Sequence, residues 1–353
     1  MKKIIMTGGG TAGHVTPNLA LLPKLQQLGY EIKYIGSKGG IEEDIVTKKN
    51  LPYFAISSGK LRRYFDWKNF TDPFRVARGY VECLTILRKE KPGLVFSKGG
   101  FVSVPVVAAA KTLKIPVLAH ESDLTPGLAN KLALRFVDQL LVTFPDTLNF
   151  VGEKGLLVGT PIREELFQGS AENGKALCQF KEEKPVLLVM GGSIGSVKIN
   201  EALRASLDPL LKVFNIIHLC GKKNLDEGKK DLPGYCQFEF AQTEMKDLLM
   251  AADFIVSRAG ANSIFEFLAL RKPHLLIPLS GQGSRGDQLE NAESFEKSGF
   301  SLVLKEEVLT PDTLLMSLEK LQKEKEHLIA AMKNSPLDNA TAKILERIEK
   351  MVK

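Results

Sequence analysis

The chain has 353 residues, of which 44% are hydrophobic and 25% are charged, and its formal net charge is +7. This length exceeds one ordinary hydrophobic core, so the sequence predicts a soluble globular protein of two domains. The positive charge favours anionic ligands such as phosphates or anionic lipid head groups. Because no recognition-helix or zinc-finger pattern accompanies the charge, we expect no nucleic-acid partner.

The cysteines and the apolar runs bear on the cellular compartment. Cys83, Cys178, Cys220 and Cys236 form no C-x-x-C pair and have no zinc-site spacing, which is typical of free thiols in a reducing compartment. The sequence begins directly with a predicted strand, and no stretch approaches the ~18 apolar residues of a membrane span. These features predict a cytoplasmic protein whose contact with a membrane would be peripheral.

Short apolar runs alternate with helical patterns in both halves, which predicts an α/β fold with parallel sheets covered by helices. Thr16-Pro17 and Asp72-Pro73 each place a potential N-cap before a proline and so indicate helix starts. Glycine, proline and polar residues cluster at 159–174 and predict the domain boundary, whereas 315–352 has a charged helical pattern. The predicted strands are 3–6, 32–35, 94–96, 117–119, 139–142 and 156–158, then 186–190, 215–219, 254–256, 274–277 and 301–304, and the clearest predicted helices are 17–28 and 73–89.

A glycine-rich turn follows a predicted strand in each half, at 8–14 and at 191–196. In such a strand–turn–helix unit, backbone N–H groups and the helix N-terminus face an anion, typically a phosphate. The two turns therefore predict two α/β halves with a phosphate-containing ligand between them. A third glycine turn, at 97–103, either faces the same ligand or simply connects a strand to a helix.

The first turn also fits the G-x-G-x-x-G pattern of dinucleotide-binding domains, through Gly8, Gly10 and Gly13. Such a site normally needs an Asp or Glu about 20 residues further on, at the end of the second strand, to bind the ribose. The second predicted strand is followed instead by 36–38, which reads Gly-Ser-Lys. NAD and FAD are therefore disfavoured, and a purely structural turn is the other alternative.

Four polar residues near predicted strand ends are candidates for chemistry. His14 ends the first turn, where an imidazole can accept a proton near neutral pH, although a lone histidine is more often structural. Glu121 and Asp123 follow strand 117–119, and either could bind an acceptor, orient His14 or act as a base. Glu266 lies one turn into a predicted helix, where it would bind a ribose or merely be a solvated residue favoured by the helix dipole.

The segment 60–80 mixes aromatic and basic side chains. One interpretation is a loop that packs on the core with its charges solvated. The other is a membrane-surface patch in which aromatic rings insert at the interface and cations attract anionic lipids. The residues proposed for this patch are Trp67, Phe70, Phe74 and Arg75.

Six motifs in order along nearly the whole chain resemble the MurG family of bacterial N-acetylglucosaminyltransferases of peptidoglycan synthesis. The resemblance implies the GT-B fold, in which two Rossmann-like domains face each other across a cleft. It implies inverting transfer of N-acetylglucosamine from UDP-GlcNAc to the MurNAc 4-hydroxyl of undecaprenyl-pyrophosphoryl-MurNAc-pentapeptide (lipid I), giving lipid II at the cytoplasmic face of the membrane. The motifs are 8–14, 99–103, 120–123, 158–163, 191–195 and 258–261.

The resemblance also implies a division of labour along the chain. The acceptor and membrane domain is expected at 1–162, the UDP-GlcNAc domain at 163–335, and a last helix at 336–353 that returns to the first domain. No D-x-D metal ligand and no cofactor are expected, while an effect of divalent cations stays open. Further expected partners are an anionic membrane surface and cell-wall synthesis proteins.

Individual site residues follow from the matched positions. His14 is expected to be the general base, with Asp123 as the second candidate. Asp123 stands where many members of the family have Asn, and Phe101 stands where many have Tyr. The residues expected to bind substrate are Thr11, Ala12, Gly13, Asp123, Arg163, Ser193, Gln242, Ala261, Asn262, Glu266 and Gln288.

Three other functions stay open from the sequence. A UDP-GlcNAc 2-epimerase would consume UDP-GlcNAc without an acceptor. A glycolipid synthase would use diacylglycerol as the acceptor. A non-catalytic nucleotide-sugar sensor would bind UDP-GlcNAc without turnover.

Overall fold

The computed structural model describes residues 2–59, 68–192, 195–281, 286–337 and 340–353, and of 68–73 it describes the backbone only. The chain forms two compact units. The first consists of Met1–Ile162 together with Asn339–Lys353, and the second of Arg163–Asp338. Each unit contains a parallel β-sheet with helices around it.

Within the described residues, the first unit has a seven-stranded parallel sheet in the order β3-β2-β1-β4-β5-β6-β7. Its strands are β1 (Lys3–Thr7), β2 (Glu31–Ser37), β3 (Tyr53–Ile56), β4 (Leu94–Ser97), β5 (Val117–Glu121), β6 (Gln139–Val142) and β7 (Gly155–Leu157). Its helices are α1 (Thr16–Gln27), α2 (Ile41–Thr47), α3 (Lys68–Glu90), α4 (Ser103–Thr112), α5 (Leu128–Ala133), α6 (Leu148–Val151) and, from the end of the chain, α14 (Ala340–Met351).

The second unit has six parallel strands in its described part, in the order β10-β9-β8-β11-β12-β13. Its strands are β8 (Val186–Met190), β9 (Asn215–Leu219), β10 (Tyr235–Phe238), β11 (Phe254–Ser257), β12 (His274–Leu276) and β13 (Leu302–Val303). Its helices are α7 (Ala171–Leu177), α8 (Val197–Ala205), α9 (Leu207–Leu210), α10 (Met245–Ala251), α11 (Ala261–Ala269), α12 (Asp287–Lys297) and α13 (Pro311–Lys333).

The core of the first unit lies on both faces of its sheet. Ile4 and Met6 of β1 belong to one buried cluster, which also contains Ile344 of α14. Ile5, whose side chain alternates to the other face, belongs to a second cluster with Val107 of α4. Because central strands are covered on both sides, they are continuous apolar runs, and this is why the sequence predicted them.

The strand orders place a topological switch point in each sheet. In the first sheet the order reverses between β1 and β4, and in the second between β8 and β11. In open parallel sheets of this kind, ligands bind beyond the carboxyl ends of the strands at such a point. The glycine turns at 8–14 and 191–196 follow β1 and β8, so each lies at a switch point.

Some predicted elements were wrong in detail. The helix start at Asp72-Pro73 is incorrect because α3 already begins at Lys68. Proline is tolerated near the start of a helix, where it removes few backbone hydrogen bonds, so it marks the first turns rather than the first residue. Thr16 does not cap α1 either, since Val15 already has a helical backbone. The helical pattern predicted at 315–352 is confirmed and corresponds to two helices, α13 and α14.

Among the helices of the described residues, none combines the length and the apolar character needed to cross a membrane.

Candidate functional site

The first glycine turn lies over a buried carboxylate. Glu42, in the first turn of α2, is fully buried and accepts hydrogen bonds from the Gly10 N–H (3.1 Å), the Ser37 N–H (2.9 Å) and the Ser37 hydroxyl. Burial alone would raise the pKa of Glu42, but the hydrogen bonds from Ser37 and Gly10 outweigh it and leave the pKa lowered. The glycine pattern suggested that the Gly10 N–H faces a phosphate. In the structure, this N–H donates instead to the internal carboxylate of Glu42.

The third glycine turn packs directly on the first. The Gly9 N–H donates to the Gly99 carbonyl over 3.3 Å. Gly100 has a φ of +84°, and a Cβ there would lie 2.2 Å from the Gly9 oxygen, so no larger residue fits. On the other side, the Tyr34 hydroxyl donates to the Gly8 carbonyl (2.7 Å). The third turn is therefore a support for the first turn and not only a strand-to-helix connection.

His14 ends a short 3-10 helix, Ala12–His14, and is half-buried. Its Nδ1 lies 3.0 Å from the Gly9 carbonyl oxygen and 3.1 Å from the Thr11 hydroxyl oxygen. Because a carbonyl oxygen only accepts, Nδ1 carries the hydrogen, and the lone pair of the neutral ring is on Nε2. Thr11 is exposed, and Ala12 and Gly13 are half-buried, so these expected substrate residues are accessible beside the imidazole.

The two candidate carboxylates after β5 differ in their surroundings. Glu121 is buried, and its carboxylate accepts from the N–H groups of Ser122 (2.8 Å), Asp123 (3.1 Å) and Gly127 (3.0 Å) and from the Asn130 amide (2.8 Å). These four donors make Glu121 the anchor of the loop that carries Asp123, which disfavours it as a base. Asp123 itself is half-buried and more accessible than Glu121, so it is the better candidate of the two for a base.

A buried lysine that the sequence reasoning did not single out lies behind this loop. Lys98 directly follows β4, and its Nζ contacts Nδ1 of His120, whose Nε2–H donates to the Gly159 carbonyl (2.8 Å). Burial lowers the pKa of Lys98 to about 7, opposed by the carboxylates of Glu121 and Asp123. Burial and the nearby Lys98 charge both keep the pKa of His120 well below its usual range, so His120 is neutral.

In the second unit, the corresponding glycine turn is closed by backbone contacts and a helix cap. Ser193 lies outside the described residues. Gly195 has a φ of +86°, and a Cβ there would lie 2.3 Å from the Cys220 carbonyl oxygen, so the turn requires glycine. Ser196 caps α8, with its hydroxyl accepting from the Ile199 N–H (3.4 Å).

A buried guanidinium connects this turn to the neighbouring strand ends. Arg258, which follows β11, donates to the Ser196 hydroxyl (2.7 Å), to the Ile277 carbonyl (3.0 Å) and to the Glu306 carboxylate. Burial would raise the pKa of Glu306, but the Arg258 hydrogen bond outweighs it and lowers that pKa. Arg258 was part of a recognised motif but had been given no role; it holds three chain segments at the switch point of the second sheet.

Two residues expected to bind UDP-GlcNAc contact each other. Arg163 Nε and Nη2 donate to the two carboxylate oxygens of Glu266 over 2.9 and 3.0 Å. Glu266 is in the second turn of α11, whose first residues are Ala261 and Asn262, close to the helix start that the sequence predicted. Glu165 also approaches Arg163, at 3.6 Å, from a more exposed position.

The other two residues expected to bind UDP-GlcNAc, Gln288 and Gln242, have hydrogen-bond partners elsewhere in the second unit. Gln288, in α12, accepts a hydrogen bond from the Leu279 N–H through Oε1 (3.0 Å). Gln242 is exposed, and its backbone N–H donates to the Glu244 carboxylate (3.2 Å).

The proposed membrane patch is described only in part. Trp67 lies outside the described residues, and so does the side chain of Phe70. Phe74 and Arg75 are on the surface of α3, and Phe74 is 79% exposed. At Phe74, therefore, the alternative of a loop packed on the core is wrong.

Comparisons with known proteins identify the family. Residues 4–142 match the model of the glycosyltransferase family 28 N-terminal domain, and residues 186–348 match that of the C-terminal domain of the same family. A protein of Clostridium perfringens (strain 13) is 60% identical over 349 residues, 99% of this chain and 98% of the relative. One of Clostridium botulinum (strain Hall) is 58% identical over 354 residues, 100% of both chains. Both are named UDP-N-acetylglucosamine--N-acetylmuramyl-(pentapeptide) pyrophosphoryl-undecaprenol N-acetylglucosamine transferase.

The fold agrees with these matches. The crystal structure of Acinetobacter baumannii MurG is similar to this chain with a TM-score of 0.78 and 24% sequence identity, and covers 99% of this chain and 100% of that one. This likeness shows the GT-B fold. Because the models of both family 28 domains match, and because the Clostridium perfringens relative is 60% identical over 99% of this chain, the chain belongs to glycosyltransferase family 28.

Proposed function

We propose that this protein transfers N-acetylglucosamine from UDP-GlcNAc to the MurNAc 4-hydroxyl of undecaprenyl-pyrophosphoryl-MurNAc-pentapeptide, with inversion at the anomeric carbon. The observation that carries this proposal is the near full-length identity to relatives named for this transfer. The product is lipid II, and UDP is released. The first unit binds the acceptor and the second unit binds the donor.

In the proposed reaction, the acceptor oxygen attacks the anomeric carbon from the side opposite to UDP. The new C–O bond forms as the bond to the phosphate breaks, and UDP leaves with the electron pair. His14 takes the hydroxyl proton on Nε2, which is supported by the hydrogen bond that holds the hydrogen on Nδ1. Asp123 is the second candidate for the base, and Glu121 positions the loop that carries it.

The second unit stabilises the diphosphate in this proposal. The positive charge of Arg258 beneath the glycine turn, the amides near Ser196 and the N-terminus of α11 at Ala261 and Asn262 all favour an anion. Glu266 binds the ribose hydroxyls. The residues that complete the donor site are Arg163, Ser193, Gln242 and Gln288, whereas Thr11, Ala12 and Gly13 line the acceptor site beside His14.

The lipid part of the acceptor requires a membrane surface. We place the protein peripherally at the cytoplasmic face, held by Trp67, Phe70, Phe74 and Arg75. The exposed ring of Phe74 supports this role, since aromatic rings insert at membrane interfaces. Cell-wall synthesis proteins are the further partners that this location suggests.

The test is to supply UDP-GlcNAc with a soluble lipid I analogue and to measure UDP release. We expect release that depends on the analogue, with GlcNAc joined to the MurNAc 4-hydroxyl. Conversion of UDP-GlcNAc without acceptor would instead indicate an epimerase, and use of diacylglycerol a glycolipid synthase. Binding of UDP-GlcNAc without turnover on any acceptor would indicate a sensor, and each of these three results would overturn the proposal.

A further inference from the structure

One peptide group in the first glycine turn is held at both of its ends by ionisable side chains. The carbonyl of Gly9 and the N–H of Gly10 belong to the same peptide unit. The carbonyl oxygen lies 3.0 Å from His14 Nδ1, and the N–H donates to the Glu42 carboxylate over 3.1 Å. The peptide thus links a buried carboxylate to an imidazole that the carboxylate does not itself touch.

The surroundings leave the carboxylate little freedom. Two further hydrogen bonds, from the Ser37 N–H and hydroxyl, hold Glu42 in place. A Cβ on Gly9 would lie 2.4 to 2.8 Å from the three carboxyl atoms of Glu42, and one on Gly36 would lie 2.8 Å from its Cγ. Glycine at these positions lets the carboxylate approach the turn closely, so the contact with Gly10 is a built feature of the fold.

We propose that Glu42 is a positioning residue for His14, acting through the Gly9–Gly10 peptide. A carboxylate that accepts from the peptide N–H polarises the group and increases the negative charge on the carbonyl oxygen. That oxygen then accepts the Nδ1–H of His14 more strongly, and most strongly when the ring gains a second proton on Nε2. Glu42 thereby fixes the tautomer of His14 and stabilises its imidazolium form. This proposal rests on the proposed role of His14 as the base.

The other charged and titratable groups around this link come from four strands. Tyr34 of β2 and Tyr53 of β3 face Glu42, and burial raises the pKa of both, so they stay neutral. Lys98, which follows β4, approaches the turn at Gly8. Glu121 and Asp123, at and just after the end of β5, lie near Lys98. Because burial lowers the pKa of Lys98 to about 7, a pH profile of activity alone does not isolate His14. The ring of His14 must be observed directly.

The experiment compares Glu42→Gln with Glu43→Gln. Glu43 is the next residue of α2 and loses the same charge, but its carboxylate accepts from the Gly39 N–H (2.6 Å) and not from the glycine turn. The titration of His14 is followed by NMR of histidine-labelled protein, with its signal identified by its loss in His14→Ala. The kcat and the KM for UDP-GlcNAc are measured on the same samples.

For Glu42→Gln, we expect the His14 midpoint to move to lower pH by roughly half a unit or more, because the imidazolium loses stabilisation. We expect kcat to fall about 10- to 100-fold, the loss that is typical when a partner orienting a metal-ligating histidine is removed, with KM changed only a few-fold. Glu43→Gln should leave both quantities unchanged. A lower kcat with an unmoved His14 midpoint would overturn the proposal, since it would indicate only a structural defect.

The two outcomes on midpoint and turnover also separate this proposal from the function on which it rests. A shifted midpoint with unchanged turnover would support the link through the peptide and remove His14 as the base. If Glu42→Gln does not fold, the unmodified protein still answers the question. The Gly10 amide resonance should titrate with the midpoint of His14 and the Gly39 amide should not; a Gly10 amide that does not respond would overturn the proposal.

Discussion

The first and the second sheet end in the same kind of turn at the same topological position, but the turns are held by opposite charges. Under the turn of the first unit lies the carboxylate of Glu42, which takes the Gly10 amide. Under the turn of the second unit lies the guanidinium of Arg258, which donates to the Ser196 hydroxyl oxygen and pairs with Glu306. The strand–turn–helix pattern is therefore common to both, while the buried charge differs.

This difference teaches that a glycine turn after a strand does not by itself make a phosphate site. A carboxylate beneath the turn disfavours a second anion there and suits a turn that presents a base, such as His14. Beneath the second turn, Arg258 and Lys198 both contact the Glu306 carboxylate, and the net positive charge of these three groups favours a diphosphate. This contrast supports the proposal that the first unit transfers the proton and the second unit binds the anion.

The largest expected effect is on His14. Replacement by Ala removes the base and should lower kcat by about 10²–10⁴-fold, the usual contribution of a general base. The dissociation constant for UDP-GlcNAc, measured by calorimetry, should stay within a few-fold because donor binding belongs to the second unit. Turnover close to that of the wild type would transfer the role to Asp123, and a large loss of donor affinity would break the division between the units.

The second prediction concerns Lys98, whose buried ammonium contacts neutral partners, His120 and Ser122, whereas Arg258 is paired with a carboxylate. The pKa of Lys98 is about 7 in the folded protein against 10.5 for an ordinary lysine. Between these values Lys98 binds a proton in the unfolded chain but not in the folded one, so its contribution to stability rises with pH across this window and is least favourable below pH 7.

The Lys98→Met variant removes this dependence. Relative to the variant, the wild type should gain on the order of a few kcal/mol in free energy of unfolding as the pH rises from about 7 towards 10. Thermal unfolding at several pH values measures the difference, and Lys131→Met, at an exposed position on α5, is the control that should parallel the wild type. A constant difference between wild type and Lys98→Met would mean that Lys98 is charged, or neutral, throughout this range.

The third prediction tests the donor side. Glu266→Gln loses the charge that we propose to bind the ribose, and one charge-assisted hydrogen bond is worth about 1.5–3 kcal/mol, so the dissociation constant for UDP should rise about 10- to 100-fold. Glu165→Gln is the matched control, because Glu165 also approaches Arg163 but from an exposed position. Equal affinities in the two variants would mean that Glu266 serves only to hold Arg163.

Sequence reasoning found the central strands and all three glycine turns because both leave local signals, a continuous apolar run and a run of glycines. It missed β3 and β10, which are edge strands of only four residues and only partly buried, so their local signals are short. It also left Lys98 without a role, because nothing local distinguishes a buried lysine from a solvated one.

Partners that meet only in the folded chain were beyond sequence reasoning. Glu42 and Gly10 are 32 residues apart, and Arg163 and Glu266 are 103 apart. The sequence disfavours a dinucleotide site because no acid follows β2 directly. The structure adds that an acid does reach this turn, but from α2 and from beneath, where it binds the backbone instead of a ribose.

The smallest effect on chemistry is expected from the surface of the first unit. Replacing Trp67, Phe70 and Phe74 together with Ser should weaken binding to vesicles that contain anionic lipid by about tenfold or more, since each ring inserted at an interface contributes apolar burial. Sedimentation with the vesicles measures this, and turnover on a soluble short-chain acceptor should stay within twofold.

The control for this surface is Phe150→Ser, which removes a ring that is 52% exposed elsewhere on the same unit. It should bind vesicles like the wild type, because Phe150 lies outside the aromatic and basic segment 60–80, in which Arg75 supplies electrostatic attraction. Added salt should weaken the binding of the wild type but change little in the triple variant, whose remaining affinity is small. Vesicle binding by the triple variant equal to that of the wild type would place membrane contact elsewhere and leave the exposure of Phe74 without this explanation.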